Sequence, residues 1–214
     1  MMAQSTTQAI DDPILARAAK LSSAALHEAA GKTGALPSVL KPCSSQVRVA
    51  GRAFPVRSPP GDNLWLHRAI YAAGTGDVLV ADVGNSSEFG YWGEVMALAA
   101  QTRGIAGLVI TGGVRDSVRM LEMGFPVFCA CICIQGTGKD PHGDGRLGEP
   151  VTIGGVMIRT GDLVFGDADG VVVLPRERVE RVVTAAEDRE TAEQRIFAEL
   201  RAGRSTIEIY NLPR

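Results

Sequence analysis

The chain has 214 residues, 45% of them hydrophobic and 21% charged, with a formal charge of −2 and a pI near 5.9. That balance excludes a disordered or low-complexity polymer and predicts one globular domain with a substantial core. Its Lys and Arg residues are scattered, so no basic field exists to hold phosphate backbones and nucleic acid is excluded as an expected partner.

The polar first twelve residues lack the basic and apolar regions of a secretion signal, and no apolar stretch approaches spanning length. A cytoplasmic protein that does not engage membranes is expected. Asp12-Pro13 is a cap and first-turn signal, so residues 14–30 read as helix, broken near Ser22-Ser23 and ended by Gly31. Residues 46–56 alternate around Gly51, which predicts a first strand with a bulge, closed by Pro59-Pro60-Gly61. A short amphipathic helix over 63–73 follows, then a buried strand over 78–83 and a loop of small polar residues over 84–90. Gly93 opens a helix through 103, residues 107–110 form another buried strand, and 116–123 another helix.

From Pro126 onward the texture is strand-rich, with short strands over 127–134, 151–153, 156–158, 163–165 and 171–174. Pro175 begins a long charged helix reaching about residue 202, and residues 206–210 predict an edge strand or a segment docked on a neighbour. The organisation is a single α/β domain over 1–214: N-terminal helices over 1–31, an α/β core over 46–174 and a C-terminal helix over 175–203. Gly-Asp recurs at 61, 76, 161 and 166 beside apolar runs, where glycine supplies positive φ and aspartate caps its own backbone, so these pairs read as turns. Cys129, Cys131 and Cys133 would share one strand face as small core residues; the sharper alternative, a zinc site, is disfavoured because an extended strand splays such side chains apart.

Chemistry concentrates where strand 107–110 runs through Thr111-Gly112-Gly113-Val114 into Arg115-Asp116. Ligands of α/β sheets bind where parallel strands end and helices begin, and the helix opening at Gly93-Glu94 lies on the same sheet edge. The amides of Gly93, Glu94, Val95 and Met96 at that helix start suit a substrate carboxylate. Asp116 is a hard oxygen ligand for magnesium or manganese, Glu94 can bind a metal-linked water, and the planar fork of Arg115 can grip a carboxylate or a developing enolate.

These residues, with Pro59-Pro60-Gly61-Asp62-Asn63, Gly124-Phe125-Pro126-Val127, Gln135-Gly136-Thr137, Gly161-Asp162 and 169–173, carry a resemblance over nearly the whole chain. The chain resembles the metal-dependent aldolases of 4-hydroxy-4-methyl-2-oxoglutarate and 4-carboxy-4-hydroxy-2-oxoadipate, related by fold to the RraA-like regulators of an RNA-degrading enzyme. The resemblance implies a layered β/β/α sandwich of the swivelling-domain type with a long C-terminal helix. It implies an acidic residue, twenty intervening residues and Arg-Asp, falling on Glu94, Arg115 and Asp116, with Glu standing where the family often has Asp. Asp116 is then the direct ligand of a divalent Mg2+ or Mn2+, and a helical glutamate of a neighbouring subunit approaches it through water, with Glu193 the best match and Glu190 the runner-up. The implied activity is pyruvate release from a small oxo-acid substrate with oxaloacetate decarboxylation on the side, in a homotrimer or homohexamer. The rival class is a non-catalytic regulator; such proteins typically lack the Asp that follows the Arg.

Other features leave alternatives open. His67 is either a base near the crevice or a partly buried helical histidine. Lys139 and Arg146 either select a second substrate carboxylate or belong to a flexible solvent loop. The 167–170 run is a turn, since it lacks the later ligands of a calcium loop. A lysine Schiff base is set aside because none of the four lysines, Lys20, Lys32, Lys41 and Lys139, falls within an apolar strand.

Overall fold

A computed structural model describes residues 12–84 and 86–213. In chain order the elements are α1 (Asp12–Ala18), α2 (Ser23–Ala29), β1 (Lys41–Pro42), β2 (Val49–Arg57), α3 (Leu64–Ala72), β3 (Asp77–Asp82), β4 (Gly90–Trp92) and α4 (Glu94–Thr102). There follow β5 (Gly107–Val114), α5 (Ser117–Glu122), β6 (Val127–Ile132), β7 (Arg146–Leu147), β8 (Val151–Ile153), β9 (Val156–Ile158), β10 (Leu163–Asp167), β11 (Gly170–Leu174), a 3-10 turn over Arg176–Arg178, α6 (Val179–Arg201) and α7 (Thr206–Ile209).

Strand alternation sorts the apolar side chains into separate cores. Val78 and Val80 of β3, Val109 of β5, Phe128 of β6, Val164 of β10 and Val171 and Val173 of β11 face an inner cluster. Leu79 and Ala81, Leu108 and Ile110, and Val127 and Cys129 point the other way, into a cluster shared with α3, α4 and α5. Leu163, Phe165, Val172 and Leu174 meet α1, α2 and α6 in a third. The sheet runs β1-β6-β5-β3-β2-β10-β11 among the described residues, and its ends approach each other through a bridge between Ala35 and Val172, so it is nearly closed around the inner cluster. This is the expected α/β architecture, helices outside strands, with α6 as the long C-terminal helix.

The central strands β2, β3, β5 and β6 are parallel neighbours, and α3, α4 and α5 connect them in turn. Their C-terminal ends therefore open on one edge of the sheet, which is the geometric condition for a shared site.

Three expectations about the elements need correction. No bulge occurs at Gly51, where pairing with β10 continues in register and pairing with β3 begins at the next residue; a Cβ there would stand 2.5 Å from the Gly76 carbonyl oxygen, so the glycine permits close backbone approach. The irregularity lies in β5, between Ile110 and Gly113. That strand runs on to Val114, because Gly112 and Gly113 lack the Cβ atoms that would stand 2.6 Å from Tyr91 and 2.8 Å from the Phe89 carbonyl, letting β4 lie alongside. Residues 206–209 form helix, not an edge strand, since Ser205 and Glu208 make a reciprocal capping box that satisfies first-turn amides.

The break at Ser22-Ser23 is as expected. Ser22 caps α2 through Ala25 N, and Ser23 N and Oγ donate to Asp167 at 2.8 and 2.6 Å. Asp167 also accepts from Asp169 N at 3.1 Å, so the 167–170 run is the β10–β11 turn. Of the Gly-Asp pairs, those at 61, 76 and 161 have glycine at positive φ, whereas Gly166 lies within β10.

Candidate functional site

A cavity of about 300 Å³ opens at the C-terminal edge of the parallel strands. The segment after each parallel strand supplies part of its wall: Asn63 and His67 after β2, residues 90–93 with Val95 and Met96 after β3, Arg115 and Asp116 after β5, and Gly136, Thr137 and Lys139 after β6. The lining carries two permanent cations and one carboxylate, which suits a small anionic ligand.

Asp116 sits at φ 55° and ψ 32°, in the left-handed region, as the cap residue of α5. Such a backbone is uncommon outside glycine, and Asp and Asn are among the side chains that tolerate it. The twist brings its Oδ2 to the first amide of α4, which donates from Glu94 N at 3.2 Å. Arg115 Nε lies 4.0 Å from the same oxygen. Gly93 makes this approach possible: a Cβ there would stand 2.4 Å from Asp116 Oδ2 and 3.2 Å from Arg115 Cγ. Gly90 similarly gives room to the Arg115 stem, at 3.2 Å, and to the Cys133 carbonyl, at 2.5 Å. Both glycines are needed for space, Gly93 having an extended φ of −159° that any residue can adopt.

Val95 and Met96 line the cavity at the first turn of α4, where amides have no partner within the helix. The Glu94 carboxylate is exposed and does not line the cavity; the backbone of Glu94 is what meets Asp116. Glu193 pairs with Arg189 at 3.2 Å on α6, and Glu190 accepts from Ser22 N at 3.1 Å, so both lie on the layer that packs α1 and α2, away from Asp116 of their own chain. Among the described residues no cluster of three or more His, Cys, Asp or Glu side chains is arranged to hold a metal. Asp116 alone, with Oδ2 held by an amide and Oδ1 accepting from no described residue, fits an ion that takes one protein carboxylate and completes its shell with water and substrate, as magnesium and manganese do.

His67 and Lys139 enter the site, and Arg146 does not. Burial holds the His67 imidazole below the ordinary histidine value, the Lys139 ammonium pushes the same way, and the Asp62 carboxylate opposes them. Arg146 pairs with Asp144 and, at 3.8 Å, with Glu149. Asn63 and Lys139 were not singled out as a pair by the sequence; the Asp62-Asn63 motif after the Pro-Pro-Gly turn was the available signal. Cys129 faces the core with its Sγ 3.8 Å from that of Cys43, and Cys131 Sγ donates to the Ser87 carbonyl at 3.4 Å.

The chain matches an RraA-like family profile, described as Aldolase/RraA, over residues 6–173. It is 37% identical over 177 residues to a protein of Halalkalibacterium halodurans provisionally named a 4-hydroxy-4-methyl-2-oxoglutarate aldolase, covering 81% of this chain and 83% of that one. It is 30% identical over 141 residues to the 4-hydroxy-4-methyl-2-oxoglutarate aldolase of Thermus thermophilus, covering 66% and 84%. Among solved structures, Streptomyces coelicolor RraAS2, described as an unusual member of the RNase ES inhibitor RraA family, superposes with a TM-score of 0.75 at 27% identity, covering 89% of this chain and 98% of that one. A parallel-strand edge bearing Arg115-Asp116 against the α4 amides, and a profile spanning most of the sequence, place the chain in the RraA-like family, Aldolase/RraA.

Proposed function

We propose that the protein is a divalent-metal-dependent carbon–carbon lyase that releases pyruvate from 4-hydroxy-4-methyl-2-oxoglutarate, 4-carboxy-4-hydroxy-2-oxoadipate or both, and decarboxylates oxaloacetate. The observation that carries this reading is the convergence of the Asp116 carboxylate, the Arg115 guanidinium and the α4 first-turn amides on one cavity. Magnesium or manganese would be held by Asp116 directly, with Glu94 and Glu193 of the partner subunit acting through water, and when bound would supply Lewis acidity toward the 2-oxo and carboxylate oxygens.

The chain's own groups do the rest. The amides of Val95 and Met96 and the fork of Arg115 hold the carboxylate next to the oxo group. As the C3–C4 bond breaks, negative charge grows on the pyruvate enolate, and the Arg115 guanidinium, which lines the cavity, would stabilise it. Glu94, at the rim, would hold the water that accepts the proton of the 4-hydroxyl. Oxaloacetate yields the same enolate by losing carbon dioxide, which accounts for the second activity.

Completion of the site by a second copy is part of this reading. Val95 and Leu98 on α4 and Val118 and Leu121 on α5 are 78%, 56%, 66% and 46% exposed, an apolar group beside the cavity that a neighbouring protomer of a trimer or hexamer would cover. The test is pyruvate release from 4-hydroxy-4-methyl-2-oxoglutarate with and without magnesium, for wild type and Asp116→Ala. Metal-dependent turnover lost in the variant is expected. No turnover in either would favour the second reading, a docking regulator, which the likeness to RraAS2 supports.

A further inference from the structure

The nearly closed sheet has a second opening at the same strand ends, on the face turned away from α3 and α4. The alternation that sends Val78 and Val80 of β3 and Val109 of β5 into the inner cluster puts Asp82 and Thr111 at the mouth of that cluster. There a cavity of about 310 Å³ is bounded by the sheet edge, the 37–40 segment and the β8–β9 turn. Its apolar lining includes Leu40 and Ile153, 1% and 3% exposed, and Val39, which is 55% exposed. The two covering segments are in close contact, since a Cβ at Gly154 would stand 2.5 Å from Pro37 Cγ.

One acid faces this cavity and no base does. Asp82 is the ionisable residue of the lining, which holds no Lys, Arg or His among the described residues. Its Oδ1 accepts from Gly84 N at 2.9 Å and lies 3.5 Å from Thr111 Oγ1, whereas Oδ2 accepts from no described residue. Arg57 stands opposite Asp82 in the β2–β3 register, yet it is exposed, lies outside the lining and forms no ion pair among the described residues. The Thr152 hydroxyl also lines the cavity and has no hydrogen-bond partner among the described residues. A carboxylate with one oxygen unused and a hydroxyl nearby suit a cation that brings its own N–H donors. The walls select the kind of cation. A hard metal ion takes about six or more oxygens, and a single carboxylate among apolar side chains does not supply them. An alkylammonium ion needs only acceptors for its three donors and an apolar surface for its body.

We infer that this mouth is a binding site for a small organic ammonium ion, with the ammonium against Asp82 Oδ2 and the Thr152 hydroxyl and the hydrocarbon body against Val39, Leu40 and Ile153. A primary amine carries the required charge at neutral pH, because its pKa is close to that of a lysine side chain, about 10.4. The site is separate from the cavity of Arg115 and Asp116, whose two permanent cations suit an anion, and it does not depend on the lyase reading.

The test is ligand-observed saturation-transfer NMR on the full chain at neutral pH, with isobutylammonium as the probe and isobutanol as its neutral counterpart of the same shape. The wild type should bind isobutylammonium saturably and isobutanol at least about tenfold more weakly, as a charge-assisted hydrogen bond predicts. Asp82→Asn keeps an oxygen for Gly84 N and should weaken the ammonium by about tenfold or more. Val39→Trp, at an exposed position, should fill the cavity and exclude the probe while circular dichroism stays native. Asp116→Ala should bind the probe as wild type does, which separates this site from the other cavity. The proposal is overturned by any of three results: no saturable binding to the wild type, equal binding of isobutanol, or an unchanged affinity in Asp82→Asn. Loss of binding in a folded Asp116→Ala would overturn it as well, by moving the probe to the other cavity.

Discussion

At the scale of single residues, the site depends on two unlike demands on the backbone. Asp116 must adopt a left-handed conformation, and Gly93 must leave room for its carboxylate. Asp116→Asn keeps a side chain that tolerates positive φ, so its unfolding free energy from urea denaturation should stay within about 0.5 kcal/mol of wild type while metal-dependent activity disappears. Gly93→Ala should fold and yet lose most activity, because the added methyl displaces Asp116; retained turnover would show that the contact is dispensable. His67 supplies a pH signature. Its folded value lies below the unfolded one, so the neutral ring stabilises the fold above about pH 6.5 and that contribution is lost as pH falls through the folded value. Urea midpoints measured from about pH 7 down to about pH 5 should fall less steeply for His67→Gln than for wild type. Arg115 and Asp116 were legible in the sequence as a strand-to-helix junction, whereas their contact with Gly93 was not, since it joins two crossings.

At the scale of elements, junctions rather than helix interiors set the geometry. Asp167 ties the β10–β11 turn to the start of α2 by accepting from Ser23 N, Ser23 Oγ and Asp169 N. Ser23 is 7% exposed, so Asp167→Ala would leave it unpaired and should cost about 2 kcal/mol, measurable by chemical denaturation. Periodicity located α3, α4 and α6 because each has one buried face, and the central strands showed as continuous apolar runs because both their faces are buried. It missed β1 and β7, two residues apiece, and read the end of β5 as loop. Such short pieces have no period to detect, and two glycines in a strand look like a turn until the β4 segment that needs their space is seen.

For the whole molecule, an apolar group of four side chains on α4 and α5 beside the cavity is a surface that a single chain leaves uncovered. If a second copy covers this group and completes the site, Leu98→Asp combined with Val118→Asp should leave only monomers by light scattering and remove most lyase activity. Full activity in a monomer would refute that part of the reading. Glu193 and Glu190 illustrate the limit of a motif: within one chain they serve Arg189 and Ser22, on the layer that packs α1 and α2 rather than at Asp116.

What the sequence determined by itself was the order and type of the long elements, the placement of Arg115-Asp116 and the α4 start on one sheet edge, and the family. The elements and the shared edge follow from local periodicity and turn chemistry, which depend on neighbours along the chain, whereas the family rests on a resemblance of motifs spread over residues 59–173. Only the tertiary structure decided that His67, Asn63 and Lys139 face Arg115 and Asp116 across one cavity, that Arg146 and the Glu94 carboxylate do not line it, and that Asp62 clamps the loop carrying Lys139. Those relations join residues from about twenty to nearly eighty positions apart, and they exist because the parallel strands end on the same edge and bring the segments that follow them together.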